Sequence, residues 1–167
     1  MEHITFMQEA LKEANKAYKL REVPVGAVIV KDGEIIGRGY NKKEILKNPL
    51  SHAELIAINQ ACKNLNSWRL KDCSLYVTLE PCAMCAGAIL QSRIDNVFIA
   101  TKDFKTGALG SVIDLSDVKE FNHKICINYG LLKDESSTLL KKFFKELRSK
   151  KKWRDDREVE GARLESV

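Results

Sequence analysis

Four side chains in two short stretches have the types and spacing to hold a metal and move protons: His52 and Glu54 in one, Cys82 and Cys85 in the other. Cysteines three apart on a helix share a face, so both sulfurs can reach one ion. A helix N-terminus also favours the thiolate that a metal needs. One imidazole nitrogen and two thiolates suit Zn²⁺, and three protein ligands leave a fourth position open for water, as in a catalytic site. Zinc lowers the pKa of such a water from about 15.7 toward roughly 7. A carboxylate beside it, here Glu54, can take a proton from water and hand it on. Residues two apart in a regular helix point about 200° apart, so His52 and Glu54 converge only in an irregular first turn. Each member alone also has a plainer reading: a structural histidine, an acid on the helix dipole, a redox or structural cysteine pair.

Alternating helices and strands must position these groups. Met7, Ala10, Leu11, Ala14, Ala17 and Tyr18 recur at three- and four-residue steps and predict an amphipathic first helix. Pro24 stops it, residues 25–30 read as a buried strand, and Asp32 and Gly33 before residues 34–39 signal a hairpin. Residues 41–49 read as a loop. Ser51 can cap a helix that starts at His52, with Leu55, Ile56, Ile58 and Cys62 on its apolar face. Further strands are expected at 73–79, 96–100 and 124–129, and a helix from Pro81 through Cys82 to about Leu90. Gly107 and Gly110 place a long loop, and a last helix runs from about Leu131 to Arg154. Strand–helix–strand units force parallel crossovers, while the hairpin adds an antiparallel pair. The expectation is an α/β domain over residues 1–154, a mixed sheet covered by helices, with 155–167 as a polar, disordered tail.

At 167 residues, 44% hydrophobic and 31% charged, the chain has the size and composition of one globular domain with its own core. Its start, Met1 to Ile4, lacks the basic and apolar regions of a secretory signal, and no apolar run is long enough to span a bilayer. A cytoplasmic protein without membrane contact is expected. Five cysteines, an odd number, speak against a disulfide framework. Cys82 and Cys85 are the only clustered pair; Cys62, Cys73 and Cys126 read as buried small hydrophobes. The formal charge of +5 is concentrated late: residues 141–157 carry nine basic and three acidic side chains, a local +6 that leaves −1 for the rest. Such a cluster is either a polyanion footprint or a solvated helix face.

Together the two stretches form H-x-E…P-C-x-x-C, the zinc-site pattern of nucleobase deaminases. Beyond it, from about Met7 to Arg148, the chain resembles the bacterial tRNA-specific adenosine deaminase family. The resemblance is carried by EVPVGAV (22–28), GYN (39–41), HAE (52–54), LYVTLEPCAMCAGA (75–88), SRI (92–94) and DFKTGALGS (103–111). The zinc motifs are common to the cytidine/deoxycytidylate deaminase superfamily, whereas the last stretch, with Asn122 and His123, is closer to this one family. The resemblance implies a three-layer α/β/α, cytidine-deaminase-like fold around a five-stranded mixed sheet, a homodimer, and one Zn²⁺ per subunit. The implied activity converts the wobble adenosine of a tRNA anticodon to inosine. His52, Cys82 and Cys85 become ligands and Glu54 the proton shuttle. Asn41 meets the target base or its sugar, Asp103 the nucleotide backbone, and backbone groups of Ala53 and Cys82 line the pocket. Lys105 can touch a phosphate. Phe104 departs from the family pattern, where the residue is often smaller; it either stacks on an anticodon base or packs.

An anticodon loop is single-stranded and can splay a base into a pocket. The basic helix then gains a partner: Lys141, Lys142, Lys145, Arg148, Lys150, Lys151 and Lys152 can meet phosphates without reading sequence, while Phe143, Phe144 and Leu147 pack inward. Two other functions would share the zinc. A free-base or nucleoside deaminase needs a small closed pocket and no basic helix. A structural-zinc RNA-binding module needs a fourth protein ligand, for which His123 is the one candidate. His123 otherwise reads as a structural hydrogen bonder, Trp68 as a packing residue, and Trp153 as one that can stack on a base.

Overall fold

Hydrophobic alternation along one central strand sets the architecture. In β1 (Gly26–Lys31), Ala27 and Ile29 face one side of the sheet and Val28 and Val30 the other, and all four are buried. Both faces must therefore be covered, at roughly 1.5–3 kcal/mol for each large apolar side chain removed from water. On the first face, α3 (Ala53–Leu65) and α4 (Ala83–Ser92) close over Ala27, Ile29, Leu75, Val77, Val97 and Ile99. On the second, α1 (Glu2–Lys19) lays Phe6, Met7 and Ala10 on Val28, Val30, Tyr76 and Ala100. The structure, a computed structural model, describes the backbone of residues 2–164 and the side chains of residues 2–150.

The sheet has five strands in the order β2-β1-β3-β4-β5, with β2 at Glu34–Tyr40, β3 at Cys73–Leu79, β4 at Asn96–Thr101 and β5 at Cys126–Tyr129. β1 pairs antiparallel with β2 and β3; β3–β4 and β4–β5 are parallel. The three-layer, mixed-sheet expectation holds. Lys31 faces Glu34 across a two-residue turn in which Asp32 (φ 50°) and Gly33 (φ 78°) both take the left-handed region, as a tight hairpin turn of this hand requires.

Several boundaries differ from the sequence reading. The loop at 41–49 contains one short helical turn, α2 (Lys43–Leu46). α3 begins at Ala53, with His52 in extended geometry as its N-cap, and Ser51 is buried rather than capping. The fully covered side of α3 is Ala53, Ala57 and Ala61, while Leu55 and Ile56 are half-buried. Gly39 explains the small residues: a Cβ there would lie 2.1 Å from the Ala53 carbonyl oxygen and 2.8 Å from the Ala57 nitrogen, so β2 and α3 pack backbone to backbone.

The last helix, α5, is Lys133–Leu164, ten residues beyond the expected end at Arg154, through a run of helix-forming residues with no proline. Of the expected tail 155–167, residues 165–167 and every side chain lie outside the described residues, as does the side chain of Trp153. Of the three aromatic and leucine side chains expected to pack inward, only Phe143 is buried; Phe144 and Leu147 are exposed. Cys73 is buried and Cys62 half-buried, but Cys126 is exposed on the edge strand β5. Trp68 is exposed as well, with the Arg69 guanidinium 4.2 Å from its ring centroid. No helix among the described residues is long and apolar enough to cross a membrane.

Candidate active site

The N-termini of α3 and α4 meet at one point. His52 caps α3 (φ −78°, ψ 151°) and Cys82 caps α4 (φ −71°, ψ 174°); each is extended while its carbonyl accepts the first helical bond, from Ile56 and Ala86. Pro81 thus precedes the cap rather than opening the helix. The extended cap resolves the two-residue spacing problem: His52 lies off the helical screw, so Glu54, in the first turn, can be buried on the same side.

His52 Nδ1 lies 3.7 Å from Cys82 Sγ and 3.5 Å from Cys85 Sγ, and all three ligand atoms fall within 4.8 Å of one another. Nitrogen at about 2.05 Å and sulfur at about 2.3 Å from a tetrahedral zinc are about 3.6 Å apart. The donor set and the spacings therefore fit a zinc-sized ion. Among the described residues this is the one group of three or more such side chains close enough to share an ion. His123 is not part of it; its Nε2 lies 2.7 Å from the Ile94 carbonyl oxygen, a structural contact.

The trio is electrostatically tuned by its own proximity. Hydrogen bonding with Cys85, then with His52, holds the Cys82 thiol down to about 4. The neighbouring Cys82 sulfur and burial push Cys85 up. The hydrogen bond with Cys82 raises His52. Glu54 is 4% exposed, and burial pushes its carboxyl up to about 7.

His52, Glu54 and Cys82 line a cavity of about 160 Å³ whose wall also includes Asn41, Ala53, Asp103 and Thr106. Asn41 is fixed there, donating from Nδ2 to the Val23 carbonyl (3.3 Å) and accepting at Oδ1 from the Lys43 amide (3.2 Å). Asp103 turns its carboxylate on its own loop, with Oδ1 accepting from the Lys105 (2.9 Å) and Thr106 (3.2 Å) amides and Oδ2 from the Thr106 hydroxyl (2.7 Å). Despite partial burial, those bonds hold Asp103 below the usual carboxylate range. Lys105 is exposed and does not line the cavity.

Sequence reasoning passed over Glu80. Its carboxylate, 2% exposed, also lines the cavity and gathers the loop 103–111. Oε1 accepts from the Leu109 (3.1 Å) and Ser111 (3.0 Å) amides, and Oε2 from the Asp103 amide (3.0 Å) and the Ser111 hydroxyl. Gly107 has to be glycine in this arrangement, since a Cβ would sit 2.5 Å from Glu80 Cδ. The same loop pairs with the capping strand end through the Cys82–Gly107 bridge and the Ala108 N–H to Pro81 carbonyl bond (2.9 Å). An acid directly ahead of Pro81 and Cys82 was the available signal, but its donors lie 23 to 31 residues downstream.

Residues 1–148 match the family described as MafB19-like deaminase. A tRNA-specific adenosine deaminase of Bacillus subtilis is 47% identical over 147 residues, covering 88% of this chain and 91% of that one. A solved structure from studies of A-to-I editing by tRNA:A34 deaminases at the wobble position of transfer RNA superposes with a TM-score of 0.79 at 40% identity, over 81% of this chain and 99% of the other. A guanine deaminase structure from Bacillus subtilis gives a TM-score of 0.58 at 37% identity, over 68% and 83%.

Proposed function

The chain belongs to the tRNA-specific adenosine deaminase family, and from that premise we propose that it converts a wobble adenosine in a tRNA anticodon to inosine by zinc-dependent hydrolysis. The observation that carries this reading is the convergence of one imidazole and two thiol sulfurs beside a buried carboxylate, at the edge of a cavity of about 160 Å³. His52, Cys82 and Cys85 would hold the ion. When bound, Zn²⁺ supplies Lewis acidity that makes water a nucleophile near neutral pH.

The remaining chemistry is proton traffic and positioning. Loss of the amino group as ammonia requires a proton taken from water, one delivered to the ring, and one placed on the leaving nitrogen. Glu54, buried against the trio, is the group placed to carry them. Asn41 spends one donor and one lone pair on Val23 and Lys43, which leaves an amide hydrogen and a lone pair for the base or its sugar. Asp103 retains lone-pair capacity at Oδ2 for a ribose hydroxyl. Lys105, exposed and outside the cavity lining, would meet a phosphate of the bound strand.

The proposal extends to a homodimer of 1–154 domains in the cytoplasm. The cavity of about 340 Å³ between α4 and residues 115–123, with exposed Phe121 on its wall, supports a second copy as its cover. Reduced Cys82 and Cys85 suit a compartment that keeps thiols unpaired.

The test is incubation of zinc-loaded protein with an anticodon stem-loop carrying wobble adenosine, in parallel with free guanine, cytosine, cytidine and adenosine. Inosine from the stem-loop alone is expected. Product from a free base or nucleoside with the RNA untouched would replace this reading with the guanine-deaminase type.

A further inference from the structure

Phe104 is 78% exposed, the most exposed of the large hydrophobic side chains among the described residues. Leaving a phenylalanine in water forgoes the free energy that burial would supply, and the loop around it is not loose enough to excuse the exposure. Immediately before it, the Asp103 amide is tied to Glu80. Immediately after it, the Lys105 and Thr106 amides are tied to the Asp103 carboxylate, and the Gly107 amide to the Asp103 carbonyl at 2.9 Å. The backbone on both sides is pinned, and the ring is held out at the rim. Asp103 and Thr106, on either side of it in sequence, line the cavity, and Lys102 and Lys105, two residues before it and one after, are both exposed.

We propose that Phe104 is a stacking platform for the nucleobase adjacent to the one that enters the cavity, an inference that rests on the RNA-deaminase reading above. A base drawn out of a single strand leaves its neighbour with one bare face. A ring held at the cavity mouth covers that face, and the neighbouring lysines meet the phosphates that flank it. Because the backbone that carries the ring is already pinned, less conformational freedom is lost on binding than from a loose loop. Stacking on an aromatic ring accepts any base and is worth about 1–3 kcal/mol per base. The contact forms in ground state and transition state alike, so it lowers KM and leaves kcat nearly unchanged.

The experiment compares wild type, Phe104→Ala and Phe104→Trp, all zinc-loaded, on the wobble-adenosine stem-loop and on stem-loops with an abasic residue at either neighbouring position. Phe104→Ala should raise KM by about 5- to 150-fold with kcat within about twofold, and Phe104→Trp should restore it. An abasic neighbour should cost wild type a similar factor and cost Phe104→Ala nothing more. A KM for Phe104→Ala within about twofold of wild type overturns the assignment, as does failure of tryptophan to rescue. So does a change in oligomeric state in place of the KM change, since the ring would then be covered by a second copy. If wild type leaves the stem-loop untouched, the RNA-deaminase reading itself fails and this inference with it; an active wild type with an indifferent Phe104→Ala sinks the inference alone.

Discussion

Replacing Glu80 with glutamine tests whether one buried side chain sets the cavity loop. A carboxylate offers acceptors in both directions; an amide offers an acceptor in one and donors in the other. With the glutamine oxygen toward the Leu109 and Ser111 amides, at the 3.1 and 3.0 Å now spanned by Oε1, the –NH₂ faces the Asp103 amide across 3.0 Å. The Ser111 hydroxyl can rotate to accept, but the Asp103 N–H cannot. One buried donor is orphaned, costing about 1–3 kcal/mol, and the surviving bonds lose the added strength of an ionic acceptor.

A total of about 2–3 kcal/mol, falling on the residue that lines the cavity, corresponds to roughly a 30- to 150-fold loss in kcat/KM if the docked loop is required. It also corresponds to a Tm lowered by about 4–12 °C for a chain of this size. Glu80→Ala, which strands three amides, should be worse in both respects. Ser111→Ala, which removes only the hydroxyl contact, should stay within about threefold. Steady-state kinetics on the stem-loop, thermal melts and zinc content per chain make the measurement. A Glu80→Gln protein with kcat/KM within threefold of wild type and an unshifted Tm would refute the claim that these bonds position the loop.

Glu54→Ala should keep the fold and a full complement of zinc while turnover falls at least about 100-fold; a fully active variant would remove Glu54 from its role. Gly39→Ala should lower Tm by about 4–12 °C, corresponding to about 2–3 kcal/mol of overpacking, and also lower the zinc content, because its methyl would strike the Ala53 carbonyl at 2.1 Å, one residue from His52. Melting curves of the variant and wild type, with metal analysis, decide the point. Lys145→Gln with Lys150→Gln, both on an exposed basic stretch of α5, should weaken stem-loop binding and flatten its salt dependence by about 0.7 per lost phosphate contact. An unchanged slope would return α5 to a solvated surface.

The strands were legible because a sheet buried on both faces leaves near-continuous apolar runs, as in 25–30 and 73–79. The His52, Cys82 and Cys85 grouping was legible because ligand chemistry needs only residue type and two short spacings. The buried face of α3 was not, because size misled: Leu55 and Ile56 look like the core-facing residues, yet the close approach at Gly39 reserves that face for Ala53, Ala57 and Ala61. The true starts of both helices were missed for a related reason. Cap geometry depends on where the backbone leaves the helical screw, and Ser51 and Pro81 are good signals that here act one and two residues too early. Glu80 was illegible because its partners are main-chain amides, which every loop residue but proline possesses and which therefore leave no mark in the sequence.

The later start of both helices also accounts for how the site is assembled. A residue inside the first turn projects along the helix surface, whereas a capping residue with ψ near 150–175° projects away from it. Had His52 been helical, Glu54 would lie across the helix from it, and the imidazole and the carboxylate could not border one cavity. With His52 and Cys82 both as caps, the positive ends of two helix dipoles point at the same place, which favours thiolate at Cys82. The loop 103–111 is fastened to the same strand end, by Glu80 through its side chain and by Pro81 and Cys82 through their backbones. Three consecutive residues therefore fix the loop, the turn and a ligand, so the substrate wall and the trio cannot shift independently.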